Sequence, residues 1–120
     1  MAEGMTRVEY LKHRDEFITH LLKRRTMGAE LREQFEQELV DKLDRGYKQY
    51  GDYSYTEPLW KLMDEVKEEA IDIPGWLSII YGKMCQAGAS SRDIDEIMNL
   101  AAIGVDAYVK VEMLKRRWNI

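Results

Sequence analysis

The chain has 120 residues, enough for one domain with a hydrophobic core, and its 45% apolar and 33% charged residues are typical of a helical globular protein. Its net charge of −4 argues against general binding to nucleic acid or anionic lipid, and no apolar stretch reaches the roughly 18 residues of a membrane span. The one cysteine, Cys85, cannot form an internal disulfide, and no secretion signal is visible. We predict a single domain over residues 1–120, located in the cytoplasm, with neither nucleic acid nor membrane as partner.

Two amphipathic helices are predicted in the first part of the chain. The first begins at a capping box formed by Thr6 and Glu9, and its apolar stripe fades near residues 27–28. The second covers about residues 29–47, where apolar side chains recur every four positions. The polar and aromatic residues 50–55 are then predicted to form a loop.

A third helix is predicted to start around Thr56, with Pro58 in its first turn. Pro74 interrupts its pattern, and a proline inside a helix costs about 3 kcal/mol. Either the helix ends near Asp72, which could then cap a new helix, or one kinked helix continues to about Cys85. The apolar stripe keeps its phase across the proline, which favours the kinked helix.

A fourth helix is predicted from residues 90–91 to about Trp118. Its middle, residues 97–109, is apolar on nearly all sides, which is typical of a central helix or an oligomer contact. Only Asn99 and Asp106 break that apolarity. They are either a buried hydrogen-bonded pair or residues of a functional site. No strand pattern is found, so the fold class is all-α, an α-helical bundle.

Three carboxylates in the third helix give the strongest functional signal. Glu65, Glu69 and Asp72 share one stripe, at i, i+4 and i+7, and the same stripe continues with Trp76 and Ile79. Because an acidic solvent-facing stripe has no reason to become apolar, we predict that this face is buried. Buried carboxylates need a cation or shifted pKa values, and a divalent metal with oxygen ligands satisfies them. The alternative is a solvated helix face paired with lysines.

Two segments resemble the all-α nucleoside triphosphate pyrophosphohydrolases, most closely the short MazG-like proteins. The family carries acidic pairs of the forms EExxE and ExxD, and its short members often have a KYGD loop before the acidic helix. The resemblance is good over residues 46–84, weaker over 93–112, and does not include 1–28. The second helix lacks a separate EExxE, and Pro74–Gly75 stands where the family's helix is usually uninterrupted. The matching residues are Gln49-Tyr50-Gly51-Asp52 in the loop, and Glu65, Glu68, Glu69 and Asp72 in the helix.

The resemblance implies cleavage of an NTP or dNTP between its α- and β-phosphates, with Mg²⁺ or Mn²⁺ as cofactor. It also implies a four-helix bundle, which we expect a homodimer or homotetramer to complete because one chain has few helices with which to enclose a nucleotide. The alternative is a non-catalytic helical oligomer or interaction module, or a degenerate relative that only binds nucleotide. The expected metal ligands are Glu65, Glu69 and Asp72, and Asp106 is a weaker candidate. Glu68 is expected to be a further ligand or the catalytic base. The candidate substrate contacts are Lys48, Asp52, Lys61, Lys83 and Asn99, and the tyrosines at 47, 50, 53 and 55 either stack on a base or simply pack.

Overall fold

A computed structural model describes residues 4–120, and all regular secondary structure in that range is helical. The all-α prediction is therefore confirmed. The chain divides into two compact units, one ending at Pro58 and the other covering Leu59–Ile120. No helix among the described residues combines the length and apolarity needed to cross a bilayer. The helices are α1 (Arg7–Leu22), α2 (Ala29–Tyr50), α3 (Tyr53–Thr56), α4 (Leu59–Gln86) and α5 (Ser91–Arg117).

The predicted capping box at the start of α1 is present. The Glu9 amide donates to Thr6 Oγ1 at 3.1 Å, and the Thr6 amide donates to Glu9 Oε1 at 3.1 Å. The helix ends at Leu22, five residues before the predicted end. Its last turn tightens there, since the Arg24 amide donates to the Leu21 carbonyl three residues back.

The predicted loop over residues 50–55 is wrong in most of its length. α2 continues to Tyr50, and Gly51 ends it with a φ of +60°, a conformation that glycine adopts without strain. The Gly51 amide closes the helix by donating to the Tyr47 carbonyl at 2.7 Å. The next residues form α3, a single helical turn over Tyr53–Thr56.

Charged and aromatic side chains join the elements of the first unit. Arg7 Nη1 donates to the Tyr55 hydroxyl at 2.6 Å, and the Arg7 guanidinium lies 3.9 Å from the centre of the Tyr47 ring. Asp44 Oδ1 accepts hydrogen bonds from Arg14 at 2.9 Å and from Arg7 at 3.4 Å. One carboxylate on α2 therefore binds two guanidinium groups of α1, seven residues apart.

The second unit begins with a helix that passes through its proline. α4 runs unbroken from Leu59 to Gln86, so the single-helix interpretation of Pro74 is confirmed and Asp72 lies inside the helix rather than at a cap. The predicted start around Thr56 is wrong. Thr56 belongs to α3, where its hydroxyl donates to the Tyr53 carbonyl at 2.9 Å.

α5 forms an antiparallel hairpin with α4. Its start is as predicted: Ser90 caps the helix by accepting a hydrogen bond from the Asp93 amide at 3.2 Å. An early residue of α4, Lys67, pairs with a late residue of α5, Glu112, at 2.6 Å. Asp64 and Lys115 form a second ion pair on the same side of the hairpin.

The two helices pack tightly against each other at Gly104, which is buried. A Cβ at this position would lie 2.5 Å from the Ala70 carbonyl oxygen and 2.6 Å from Pro74 Cδ, closer than real atoms come. Pro74 has no amide hydrogen to donate to the Ala70 carbonyl, so this oxygen faces Gly104 without its usual helical partner. The glycine backbone can then offer a weak Cα–H···O contact.

Candidate functional site

The carboxylate stripe, which we define as Glu65, Glu69 and Asp72, lies on the side of α4 that faces away from α5. Ala70 is the buried residue of this helix nearest Gly104, and Asp72 is about 200° further around the helix. All three carboxylates are exposed. The stripe therefore forms as the spacing predicts, but on an open surface.

The predicted burial of this face is wrong for a single chain. Trp76 is 70% exposed and Ile79 is 56% exposed. The physical reason is that helical periodicity shows which residues share a stripe, whereas burial depends on which stripe packs against another helix. Within the hairpin, α5 covers the opposite stripe of α4, which contains Ala70 and Leu77.

A shallow depression lies directly beside the carboxylate stripe. Its volume is about 320 Å³, and it is lined by Ile71, Asp72, Gly75, Trp76 and Ile79. Gly75 has no side chain, which leaves room between the carboxylate of Asp72 and the indole of Trp76. The depression therefore combines an acidic group with an exposed aromatic ring.

The described residues 4–120 contain no group of three or more His, Cys, Asp or Glu side chains close enough to hold a metal ion together. Asp106 does not complete such a group within one hairpin. Gly104 faces α4, and Asp106 lies about 200° around α5 from it, so its side chain is directed away from α4. One copy thus directs Asp106 and the carboxylate stripe to opposite sides.

The remaining candidates of the second unit are spread along the hairpin. Asn99 and Asp106 are both exposed, so they do not form a buried hydrogen-bonded pair. Glu68 is exposed and adjoins the stripe. Lys83 is exposed in the last turn of α4, whereas Lys61 is partly buried near the first turn. Two lysines therefore lie at opposite ends of the helix that carries the carboxylates.

The candidates Lys48 and Asp52 belong to the first unit. Lys48 is exposed in the last turn of α2, and Asp52 is exposed immediately before α3. Their turn contains the sequence that resembles the family's loop. Their contact with nucleotide stays a prediction.

The four candidate tyrosines divide into two pairs. Tyr55 is buried and stacks on Tyr10, with ring centres 4.6 Å apart, and Tyr47 packs under a guanidinium. These two rings are therefore part of the packing of the first unit. Tyr50 and Tyr53 are 57% and 58% exposed.

The sequence analysis missed the cluster formed by Arg7, Arg14 and Asp44. The hydrogen bond from Arg14, followed by that from Arg7, lowers the pKa of Asp44 below its ordinary value. Arg14 Nε is buried and has no hydrogen-bond partner among the described residues. The available signal was the seven-residue spacing of two arginines on α1, which places them on one helix face.

Comparison with protein-family models, with curated proteins and with solved structures finds no match in any of the three. Function must therefore be inferred from the residues of this chain, above all from the exposed carboxylate stripe beside Trp76.

Proposed function

We propose that the protein is a metal-dependent nucleotide pyrophosphohydrolase that cleaves an NTP or dNTP between its α- and β-phosphates, releasing a monophosphate and pyrophosphate. The carboxylate stripe on α4 supports this proposal most directly, because it offers three oxygen donors on one exposed face. The MazG-like pattern in the same helix supports it further. We propose the cytoplasm as its location and a homodimer or homotetramer as its assembly.

The chemistry of these donors suits Mg²⁺ or Mn²⁺, which bind carboxylate oxygens in preference to nitrogen or sulfur. Glu65, Glu69 and Asp72 would hold the metal, and their exposed side chains can reorient toward it. The bound metal would neutralise phosphate charge that the carboxylates alone would repel. Asp106 would be a further ligand only if another chain supplied it.

Glu68 suits the role of base because it lies beside the stripe and is exposed. Its carboxylate would take a proton from water while the water oxygen forms a bond to the α-phosphorus. The bond between that phosphorus and the oxygen bridging to the β-phosphate would break, and pyrophosphate would leave.

Several groups around the stripe are suited to hold the rest of the nucleotide. Trp76 offers an exposed ring for stacking on a base, next to the depression that contains Asp72. Lys61 and Lys83 carry charges that attract phosphate from either end of α4. From the sequence alone, we also propose that Lys48, Asp52 and Asn99 contact the nucleotide.

The decisive experiment measures release of pyrophosphate and monophosphate from all standard NTPs and dNTPs, with Mg²⁺ or Mn²⁺. We expect metal-dependent cleavage of one or a few nucleotides by the native protein and its loss in Glu69→Gln. Glu33→Gln is the matched control, because Glu33 is an exposed glutamate on α2 outside the proposed site. Equal activity of Glu69→Gln and the native protein would contradict the proposal.

A second candidate function is a non-catalytic helical oligomer or interaction module, which includes a degenerate relative that binds nucleotide without cleaving it. It is favoured by the large apolar side chains that stay exposed on the hairpin, such as Ile103 at 55% and Trp118 at 64%. A ligand that binds the native state raises its melting temperature. An enzyme should therefore be stabilised by Mg²⁺ with a nucleotide, whereas a pure interaction module should show no change.

A further inference from the structure

We infer that two copies of the chain pair through one face of the α4–α5 hairpin, so that α5 of each copy lies along the carboxylate stripe of the other. The pairing itself is argued from exposure, size and charge. Its consequence for the metal site rests on the proposed function.

The face in question is apolar along both helices. Its side chains recur at spacings of three, four or seven residues, so they lie on one stripe of each helix. Most of them are exposed, including Val66 at 50%. We define the open face as Leu62, Val66, Ile73 and Ile80 on α4, with Leu100, Ile103, Ala107, Leu114 and Trp118 on α5.

The contacts of the hairpin show that the two stripes share one side. On α4 the open stripe and Lys67 lie on opposite sides of Ala70, and on α5 the open stripe and Glu112 lie on opposite sides of Gly104. Lys67 and Glu112 meet in an ion pair. The two apolar stripes must therefore meet on the opposite side and form a continuous surface.

The size of the open face matches a stable protein interface. α4 has 28 residues and α5 has 27. Two such helices side by side, each about 40 Å long and about 10 Å wide, present roughly 800 Å². This is about the area that each partner contributes to a typical specific complex. A second copy therefore offers an area sufficient to bury the open face.

Two symmetric arrangements place one open face on another. With the twofold axis along the helices, α4 packs on α5 of the partner; with the axis across them, α4 packs on α4. The α4 border of the face carries the carboxylate stripe and Lys83, whereas the α5 border carries Lys110 and Arg117 together with Glu96 and Asp106. The first arrangement sets Glu69 level with Lys110 of the partner subunit and Lys83 level with Glu96 of the partner subunit, and it leaves one like-charged pair, Asp72 and Asp106 of the partner subunit. The second arrangement packs the two helices that carry the carboxylate stripe on each other. Charge therefore selects the axis along the helices.

This axis also fixes the register. Rotation about an axis parallel to the helices does not move a residue along the helix direction. Each residue of the partner's α5 is therefore level with the same α4 residue as its counterpart in the chain's own α5. Lys67 and Glu112 lie at one height, as their ion pair shows. Glu69 is two residues after Lys67 on α4, and Lys110 is two residues before Glu112 on α5. Because the helices are antiparallel, Glu69 is level with Lys110 of the partner subunit.

The same register explains why Asp106 points away from the stripe within one chain. Asp72 is close to the height of Asp106 of the partner subunit, and both lie on the border of the paired faces. The second copy thus supplies the fourth carboxylate that a single hairpin lacks. Under the proposed function, each metal site is shared between two subunits.

Cysteine cross-linking tests this pairing without nucleotide or metal. The variant Glu69→Cys/Lys110→Cys, made together with Cys85→Ser, should form a disulfide-linked dimer on mild oxidation, seen on a non-reducing gel. The two new thiols cannot reach each other within one chain, because they lie on opposite outer borders of the hairpin. Glu68→Cys/Lys110→Cys is the matched control, and it should not cross-link because residue 68 is turned about 100° away.

Three results would overturn the pairing. They are an absence of cross-linked dimer, a monomer by light scattering at micromolar concentration, and a cross-link formed by Glu69→Cys alone, which would place α4 on α4. The failure of either proposal is distinguishable. Cleavage is measured on the native protein, because the cysteine variant lacks Glu69. If the cysteine variant cross-links but the native protein cleaves no nucleotide, the pairing is retained and the catalytic proposal is lost; if the native protein is active but the cysteine variant does not cross-link, the reverse holds.

Discussion

The first unit is joined largely through charged and aromatic side chains, whereas the helices of the second unit meet closely at a glycine and a proline, with two ion pairs to one side. In the first, one carboxylate, Asp44, accepts hydrogen bonds from two arginines. In the second, Gly104 fits against the backbone of Ala70 and the ring of Pro74. Contacts of the first kind depend on charge and therefore on pH. Contacts of the second kind depend on shape and therefore on side-chain volume.

The largest effects are expected from cavities in the two units. Leu22 is 5% exposed in the first unit and Leu77 is 7% exposed in the second. Changing either to Ala should lower the free energy of unfolding by about 2–5 kcal/mol. Calorimetry should show each variant lowering a different transition if the units unfold separately. A single transition that both variants shift would instead support one cooperative domain, as the chain length predicts.

A smaller effect is expected when a methyl group is added between the hairpin helices. Gly104→Ala should destabilise by about 1–3 kcal/mol, because the backbone carbonyl of Ala70 cannot move aside. Gly82→Ala is the control, since nothing lies within 4 Å of its Cβ, and it should stabilise α4 by about 0.5–1 kcal/mol. Urea unfolding measures both. Stabilisation by both substitutions would show that the helices do not meet closely at Gly104.

The arginine cluster should make the first unit sensitive to acid. Because the folded pKa of Asp44 lies below its ordinary value of 3.8, its stabilising effect is complete above that pH and is lost as pH falls through the folded pKa. Asp44→Asn should therefore lower the melting temperature near neutral pH and have little effect in strong acid. Asp15→Asn, at an exposed position on α1, is the control. Equal effects of Asp44→Asn at both pH limits would contradict the role of its charge.

The smallest effect is expected at the ion pair between Lys67 and Glu112. The hydrogen bond from Lys67 lowers the pKa of Glu112, but water screens the pair. Glu112→Gln should lower the melting temperature slightly at low ionic strength, and added salt should reduce the difference. Glu96→Gln removes a more exposed pair with Arg92 and should have no measurable effect. A difference at Glu112 that persists in high salt would show that hydrogen bonding or packing outweighs charge.

Local signals in the sequence identified the starts of α1 and α5, but the same signal at Thr56 was misleading. Thr6 and Ser90 were found because a hydroxyl at an N-cap satisfies an amide two or three residues later, which is a short-range property. The end of α1 and the turn at Tyr53–Thr56 were missed. These depend on where burial stops and on a buried ring, Tyr55, that packs against residues far away in the chain.

The site shows the same division between local and distant information. Spacing alone places Glu65, Glu69 and Asp72 on one stripe, because a helix fixes the angle between its residues. It cannot show that the neighbouring helix covers the opposite stripe, and so the predicted burial of Trp76 failed. The position of Asp106 relative to these carboxylates depends on pairing between helices, which no single-helix pattern contains.

Pro74 and Gly104 are thirty positions apart, yet substitutions at these two residues should not be independent. Replacing Pro74 by Ala restores an amide donor to the Ala70 carbonyl and removes the Cδ atom that lies closest to residue 104 after that oxygen. The penalty for a methyl group at 104 should therefore fall once residue 74 has changed, and a double-mutant cycle would measure a non-zero coupling energy. A chain that acquires the two changes in the order 74 then 104 avoids the most strained intermediate. The effect of a substitution at one of these two residues therefore depends on which residue is already present at the other, so the order in which the two changes occur matters.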